Sequence, residues 1–335
     1  MIIGGRNLSE RPIVVAEIGN NHEGNFDVAR ELVRCAVASG ANAVKFQTFR
    51  TEAFVSPKDE ARFQRLKKFE LTPAQFGDLS RLAKSLGALF ISTPLDLGSA
   101  GVLEPLVDAL KIASGDNDFF PLIERVAHTS LPIIVSTGSS DWQRVRAAVE
   151  CVRAIRGART AESLLVTHCV SCYPAPLDQV NLSAIPALAS EFDVAAGYSD
   201  HTIGIEACVL AIAAGARLIE KHFTLDHHYS DFRDHQLSAD PMELAELVRR
   251  ARDAAVMWGR AEKTLQRCER DSAPAIRRSI VANRDLPAGH RVAFEDLAWL
   301  RPAGGLAPGR EAEVVGRALK RAVAASERLT MADVE

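Results

Sequence analysis

Eight short apolar runs, rich in β-branched residues, recur along this chain, and each is followed by a longer segment with helical periodicity. The runs are "PIVVAEIG" (12–19), "NAVKFQ" (42–47), "ALFISTP" (88–94), "ALKIAS" (109–114), "PIIVSTG" (132–138), "SLLVTHC" (163–169), "VAAGYSD" (194–200) and "ARLIEKHF" (216–223). Runs of this length and composition read as buried strands. Between them, "FDVARELVRCAVASGA" places apolar residues at three- and four-residue steps and stops at Gly40, while "TPAQFGDLSRLAKSLGA" opens on a Thr-Pro cap and stops at Gly87. Eight strand–helix repeats over about 260 residues predict a (β/α)8 TIM barrel, an α/β fold. A doubly wound open sheet is the alternative, but no glycine-rich fingerprint follows the first strand.

After the eighth run, "MELAELVRRARDAAVMWG" reads as an amphipathic helix closing the barrel, and the charged, proline-containing "AEKTLQRCERDSAPAIRR" reads as a linker. From Ser279 the texture changes to short strands and turns. The expected domains are a barrel over 1–262, a linker over 263–278 and a small domain over 279–335, which is short for independent stability.

A net charge of −3, without a basic stretch, argues against a nucleic-acid or membrane-surface partner. An anionic substrate would have to be held by a few local Lys and Arg side chains. No run approaches a membrane span, the N-terminal stretch lacks a signal-peptide pattern, and the six cysteines have no disulfide-scaffold spacing, so a cytoplasmic protein is expected. Cys169 and Cys172 form a C-x-x-C, but a second Cys or His pair at zinc spacing is missing.

The strand ends carry the chemistry. Every run finishes in polar residues: Glu17, Lys45 and Gln47, Ser92 and Thr93, Lys111 and Ser114, Ser136 and Thr137, His168, Ser199 to His201, Glu220 to His222. Any one of them could merely cap a strand, but in a barrel all eight C-terminal ends converge on one mouth. There Lys45 and Lys111, with the hydroxyls of Thr93, Ser114 and Ser136, would cradle a phosphate or carboxylate. His201 and His222 end neighbouring strands about 4.8 Å apart and could share one divalent ion. Two histidines leave coordination positions open for water and substrate, as catalysis requires.

"VVAEIGNNHEGNFDVARELVRCAVASGANAVKFQTF" resembles the sialic acid synthase family, as do "FISTPLD", "LKIASGD", "IVSTG", "HCVSCYPAP", "GYSDHTIG" and "IEKHFTLD", in order and spacing over nearly the whole chain. The C-terminal segment with "LAWLRPAGGLAP" resembles the antifreeze-like (SAF) domain of these synthases. The resemblance implies condensation of phosphoenolpyruvate with an aldose, usually an N-acetylated mannosamine or a relative, to a nine-carbon 2-keto acid and phosphate. It implies a divalent metal, commonly Mn2+, with Mg2+ or Co2+ as alternatives. Lys45, Lys111, Thr93, Ser114, Ser136 and Ser199 would hold phosphoenolpyruvate, and His201 and His222 the metal. Glu17, Gln47, Tyr173, Glu220 and Asp234 would face the sugar or the reacting centre, with Glu17 and Glu220 as catalytic carboxylates. Arg301 would reach the sugar from a partner subunit, implying a domain-swapped homodimer in which each small domain lids the other barrel.

The chain departs from the family pattern on the sugar side. Ser171 stands where many members have Asn, Phe232-Arg233-Asp234 replaces a "GPD", and Arg277 occupies a position that is aromatic in some members. The reaction class is therefore expected to persist while the aldose stays open. Two other readings compete: a different metal-dependent barrel acting as a sugar aldolase or isomerase, and a non-catalytic sugar-binding scaffold. Neither would need two converging lysines.

Overall fold

The computed structural model describes residues 1–335. All eight runs become parallel strands: β1 (Ile13–Gly19), β2 (Ala43–Thr48), β3 (Leu89–Pro94), β4 (Ala109–Ile112), β5 (Ile133–Ser136), β6 (Leu164–Cys169), β7 (Ala195–Asp200) and β8 (Leu218–His222). They pair in chain order, and β8 pairs with β1 through Leu218↔Ile13 to His222↔Glu17, closing the barrel. That closure excludes the open sheet.

Helices α1 (Phe26–Ala38), α2 (Pro73–Ser85), α3 (Leu97–Leu103), α4 (Phe120–Ala127), α5 (Trp142–Arg156), α6 (Ala184–Phe192), α7 (Glu206–Ala213) and α8 (Pro241–Trp258) follow the strands one by one. The Thr-Pro signal works as read. Thr72 caps α2 in a reciprocal box with Gln75, Pro73 takes the first turn, and Gly87 ends the helix region at φ +83°. No helix is long and apolar enough to cross a membrane.

Strand alternation builds two apolar layers. Ile13, Val15, Ala43, Ile91, Ala109 and Leu218 belong to the cluster inside the barrel, whereas Val14, Ala16, Val44, Phe90, Leu110 and Ile219 pack outward with the helices. The N-terminal hairpin, Ile2–Ile3 with Arg6–Asn7, adds Ile3 and Leu8 to the inner cluster. Burying each is worth about 2 kcal/mol, and together they plug the barrel end opposite the mouth. Periodicity gave no sign of this plug, because two-residue strands have no period.

Residues 51–69, to which the strand–helix pattern assigns no element, form the short helices Thr51–Phe54 and Glu60–Phe69. They share a small apolar cluster of Phe49, Val55, Leu66, Phe69 and Leu95. Phe69 also meets Phe232 edge-on at 5.4 Å, which ties the helix Glu60–Phe69 to the loop after β8.

By internal packing the chain divides at Gly259/Arg260. The second unit, Arg260–Glu335, has its own core of Ile280, Leu286, Val292, Leu319, Val323 and Leu329, around an antiparallel pair β9 (Ser279–Ala282) and β10 (Leu297–Leu300). Residues 263–278, expected as a linker, include the short helix Ala273–Ile276, and Pro274 accepts a backbone hydrogen bond from Ala303 of the second unit.

Candidate active site

Strand alternation sorts the polar strand ends into two sets. Glu17, Lys45, Gln47, Thr93, Lys111, Ser136, Ser199, Glu220 and His222 continue the inward positions and line a cavity of about 250 Å3 at the barrel mouth. Ser114, Tyr173 and His201, from the loops just beyond, line it as well. The strand ends converge on the mouth as expected, but the other set of polar residues turns away from it, because the period of two points alternate residues outward. Ser92 donates outward to the Phe46 carbonyl (2.9 Å), Thr137 to Thr167 (3.1 Å), and His168 Nε2 meets the Val180 carbonyl at 2.7 Å. Asp200 and Lys221 form a fully buried pair (2.8 Å) behind β7 and β8. Tyr198 Oη, the Thr202 amide and hydroxyl and the Cys208 thiol also donate to Asp200, and Lys221 donates to the Thr202 carbonyl.

Inside the cavity, two lysines and two glutamates form one chain of charge. Lys45 Nζ lies 2.7 Å from Glu17 Oε2 and 3.7 Å from Glu220 Oε1, and Lys111 Nζ lies 2.5 Å from Glu220 Oε1. Ser199 Oγ donates to the same glutamate oxygen (2.9 Å), and Lys45 reaches Thr93 Oγ1 (3.2 Å). The strand register makes these contacts, since Glu17 pairs with Lys45 across β1–β2 and Glu220 with Ser199 across β8–β7. The two carboxyls differ. Burial alone would raise Glu220, but the ammonium groups of Lys111 and Lys45 hold it down at about 2. For Glu17 burial outweighs the pull of Lys45, and its pKa is raised. Glu220 Oε2 is buried with no donor on it.

Opposite these charges, Ser114 Oγ donates to Ser136 Oγ (2.9 Å) and accepts from the Gly138 amide (3.1 Å). Ser171 Oγ is buried here without a partner. A side chain at residue 138 would collide with Ser171 Oγ and lie 2.7 Å from Ser114 Oγ, so it would force both hydroxyls out of this arrangement.

His201 and His222 face each other with ring centroids 5.4 Å apart. His201 Nδ1 lies 2.8 Å from the Val170 carbonyl, which selects the tautomer whose Nε2 lone pair is free. Burial keeps His222 neutral, and its buried Nδ1 has no partner. Burial would lower His201, but the neighbouring Cys169 thiol raises its pKa; two imidazoles with unpartnered ring nitrogens beside carboxylates fit a divalent ion. His227 meets Glu243 (3.1 Å) and Asp240 (3.8 Å), but those carboxylates already form the reciprocal N-terminal cap of α8. Neither Cys169, buried 3.7 Å from His201 Nδ1, nor exposed Cys172 forms a disulfide.

The inner cavity shares Gln47, Tyr173 and His222 with an outer one of about 1000 Å3, whose walls include Asn20, the helix Glu60–Phe69 and the loop 230–234. Asp234 is buried at this wall, paired with Arg233 (3.2 Å). Arg233 lies 4.6 Å over the Tyr173 ring, which also meets His201 at 4.0 Å and His222 edge-on at 6.1 Å. Arg301 and Arg277 are exposed residues of the second unit.

Sequence reasoning passed over the loop Asn20-Asn21-His22 after β1. Asn20 donates to Gln47 Oε1 (3.0 Å), and Asn21 ties the loop to Phe223 O (2.8 Å) and Ser238 Oγ (3.0 Å). Three adjacent polar residues directly after a buried strand were the available signal. His22 is buried and pushed down to about 4 by its burial. A histidine depressed below its unfolded value of about 6.5 adds stability that is present above that pH and lost as pH falls towards 4. His22→Gln is therefore expected to lessen the fall in Tm between pH 7 and pH 4.5 by about 5 °C. Parallel thermal melts check this, and an unchanged difference would remove His22 from the account.

The NeuB family model matches residues 32–263 and the SAF domain model residues 277–335. The N,N'-diacetyllegionaminic acid synthase of Legionella pneumophila is 40% identical over 98% of this chain and 96% of its own. The protein of the same name from Campylobacter jejuni is 34% identical over 92% and 96%. Among solved structures, N-acetylneuraminic acid synthetase from Leptospira borgpetersenii, in complex with citrate, superposes with a TM-score of 0.74 at 33% identity, covering 78% of this chain and 90% of that one.

Proposed function

The chain belongs to the NeuB family, that of the sialic acid synthases, with a C-terminal SAF domain, and from that premise we propose that it condenses phosphoenolpyruvate with an aldose. The acceptor is N-acetylmannosamine or a related acetamido-deoxy hexose, and the products are a nonulosonic acid and phosphate. The observation that carries this reading is the pair Lys45 and Lys111, buried with the hydroxyls of Thr93, Ser114, Ser136 and Ser199 in one chamber of about 250 Å3.

Phosphoenolpyruvate carries a phosphate and a carboxylate, and both need cations and donors in a site closed to water. Lys45 and Lys111 supply the charge, and Thr93, Ser114, Ser136 and Ser199 the hydroxyls. Incoming anionic oxygens share the lysines with the glutamates. His201 and His222 would hold a divalent ion, Mn2+ by family resemblance, which when bound supplies Lewis acidity to the acceptor aldehyde. Phosphoenolpyruvate C3 then forms a carbon–carbon bond to the aldehyde carbon, leaving positive character at C2. Glu220, held ionised by the lysines, stabilises that charge electrostatically. Glu17, with its raised pKa, is suited to proton transfer with the new hydroxyl or the attacking water. Water adds at C2 and loses a proton, and the tetrahedral intermediate breaks its C–O bond to phosphate to give the 2-keto acid. Gln47, Tyr173 and Asp234 border the acceptor's path.

The arrangement of subunits forms part of the proposal. The second unit carries fourteen basic and eleven acidic residues, the barrel unit twenty-six and thirty-two. These opposite net charges support a domain-swapped homodimer in which Arg301 of the partner subunit reaches the acceptor.

Incubation with phosphoenolpyruvate, Mn2+ and a panel of acetamido-hexoses tests the reaction, with phosphate release and product mass read together. Sugar turnover without phosphoenolpyruvate would favour an aldolase or isomerase, and binding of neither phosphoenolpyruvate nor Mn2+ a scaffold. Gly138→Ala should raise KM for phosphoenolpyruvate at least about tenfold, since losing one or two anion hydrogen bonds costs over 1 kcal/mol. Steady-state kinetics would detect this, and an unchanged KM would dissociate the hydroxyl cluster from phosphate binding.

A further inference from the structure

The loop after β1 carries one buried side chain that the loop itself does not need. Across β1 and β2, Glu17 pairs with Lys45 but Gly19 with Phe46, so the register slips by one residue and Ile18 is bulged. The chain leaves the sheet at Gly19 with φ +53°, a conformation that favours glycine, and Asn20 comes to lie beside Gln47.

From there two amides run in one direction. Asn20 Nδ2 donates to Gln47 Oε1 (3.0 Å), and Gln47 Nε2 donates to Glu17 Oε1 (3.3 Å), while Glu17 Oε2 faces Lys45 Nζ at 2.7 Å. Gly19 leaves room for the second of these bonds, since a Cβ there would lie 3.1 Å from Glu17 Oε1 and 3.6 Å from Gln47 Nε2. A primary amide can offer either its oxygen or its NH2 to a neighbour. With a donor fixed on its oxygen, Gln47 offers Glu17 its NH2.

The Asn20 side chain makes no other hydrogen bond. It is 8% exposed, and its buried Oδ1 has no donor. The loop is held by other groups: the Asn21 amide on Ile18 O (2.9 Å), the Glu23 amide on Asn20 O (2.8 Å), and the Asn21 side chain on Phe223 and Ser238. A buried oxygen without a donor lowers stability, so an apolar residue would serve the fold better. Asn20 borders the outer cavity but not the inner chamber, whereas Gln47 lines both.

We propose that Asn20 is a positioning residue for the condensation: acting through the Gln47 amide, it fixes the direction in which the Glu17 carboxyl faces the reacting centre. The proposal rests on the condensing reading above, in which Glu17 exchanges a proton with the new hydroxyl or the attacking water. A group that moves a proton must hold its oxygen within hydrogen-bond reach of one atom. Lys45 alone would let the carboxyl turn about a single contact. Gln47 adds the second anchor, and two anchored oxygens fix the plane of the group.

Steady-state kinetics with phosphoenolpyruvate, Mn2+ and the aldose that gives phosphate release test this, together with Mn2+ titration calorimetry and thermal melts. Asn20→Ala should lower kcat about tenfold, with KM for phosphoenolpyruvate and Mn2+ affinity unchanged and Tm no lower than in the wild type. Asn20→Asp keeps the shape but presents only acceptors. Gln47 must then turn its NH2 to the new carboxylate and its oxygen to Glu17, so kcat should fall about a hundredfold. In a Gln47→Ala background, adding Asn20→Ala should change nothing further, because the intermediary is already gone.

Wild-type kcat in Asn20→Asp would overturn the proposal, as would losses that add in the double variant. A change confined to KM for the aldose would make Asn20 a sugar contact, and a lowered Tm in Asn20→Ala would make it a brace of the loop; either outcome removes the positioning role. A wild type that releases no phosphate with any acetamido-hexose overturns the condensing reading and this inference with it. An active wild type with unaffected variants sinks the inference alone.

Discussion

His222→Ala is expected to lower kcat about a thousandfold with phosphoenolpyruvate, Mn2+ and a competent aldose, while the protein stays folded. Loss of Lewis-acid assistance is worth several kcal/mol in the barrier. The fold should tolerate the change because the imidazole makes no side-chain hydrogen bond and its buried Nδ1 is unpartnered. Truncation therefore relieves an unsatisfied polar atom while opening a small cavity, two effects of similar size and opposite sign. Removing metal from the wild type with EDTA should bring it to the same residual rate. Phosphate-release kinetics and Mn2+ titration calorimetry, run together, make the check. Near-normal turnover with Mn2+ affinity intact would end the assignment of His222 as a ligand, and His201→Ala offers the parallel test.

The second large effect lies behind the site. Asp200→Ala should cost about 3–5 kcal/mol, because it strands an ammonium with no access to water. In a unit of this size that lowers Tm by about 10 °C. Lys221 would retain the Thr202 carbonyl (2.5 Å), which accepts a hydrogen bond but brings no full negative charge. The double change Asp200→Ala/Lys221→Met removes both charges and should recover most of the loss. Activity should follow stability, since the same two strands carry Ser199, Glu220 and His222 on their inner faces. Denaturation midpoints of the wild type and the two variants provide the check. If the double change is as unstable as the single one, the effect is packing rather than an uncompensated charge.

Much of the barrel was legible because it is repetitive. Each strand announces itself by a β-branched run and each helix by its spacing, so the count of eight survives small errors at element ends. The buried lysine pair was legible for a related reason: Lys45 and Lys111 sit inside apolar runs, where an ammonium is costly without a task. Asn20, Asn21 and His22 gave a weaker signal, since a polar loop after a strand is ordinary. The helix Glu60–Phe69 gave almost none, because its short amphipathic face packs on a local cluster rather than on the main core.

The sequence by itself determined the alternation of strands and helices, and with it the convergence of polar strand ends on one mouth. Only the tertiary structure decided which of those ends face the mouth. His222 and Lys221 are neighbours in the chain, as are Ser199 and Asp200, yet one of each pair lines the cavity and the other is sealed behind the sheet. The physical reason is the strand period of two, together with a register set by pairing partners distant in sequence. That register brings Glu220 beside Ser199 and Glu17 beside Lys45, and local sequence carries no record of it.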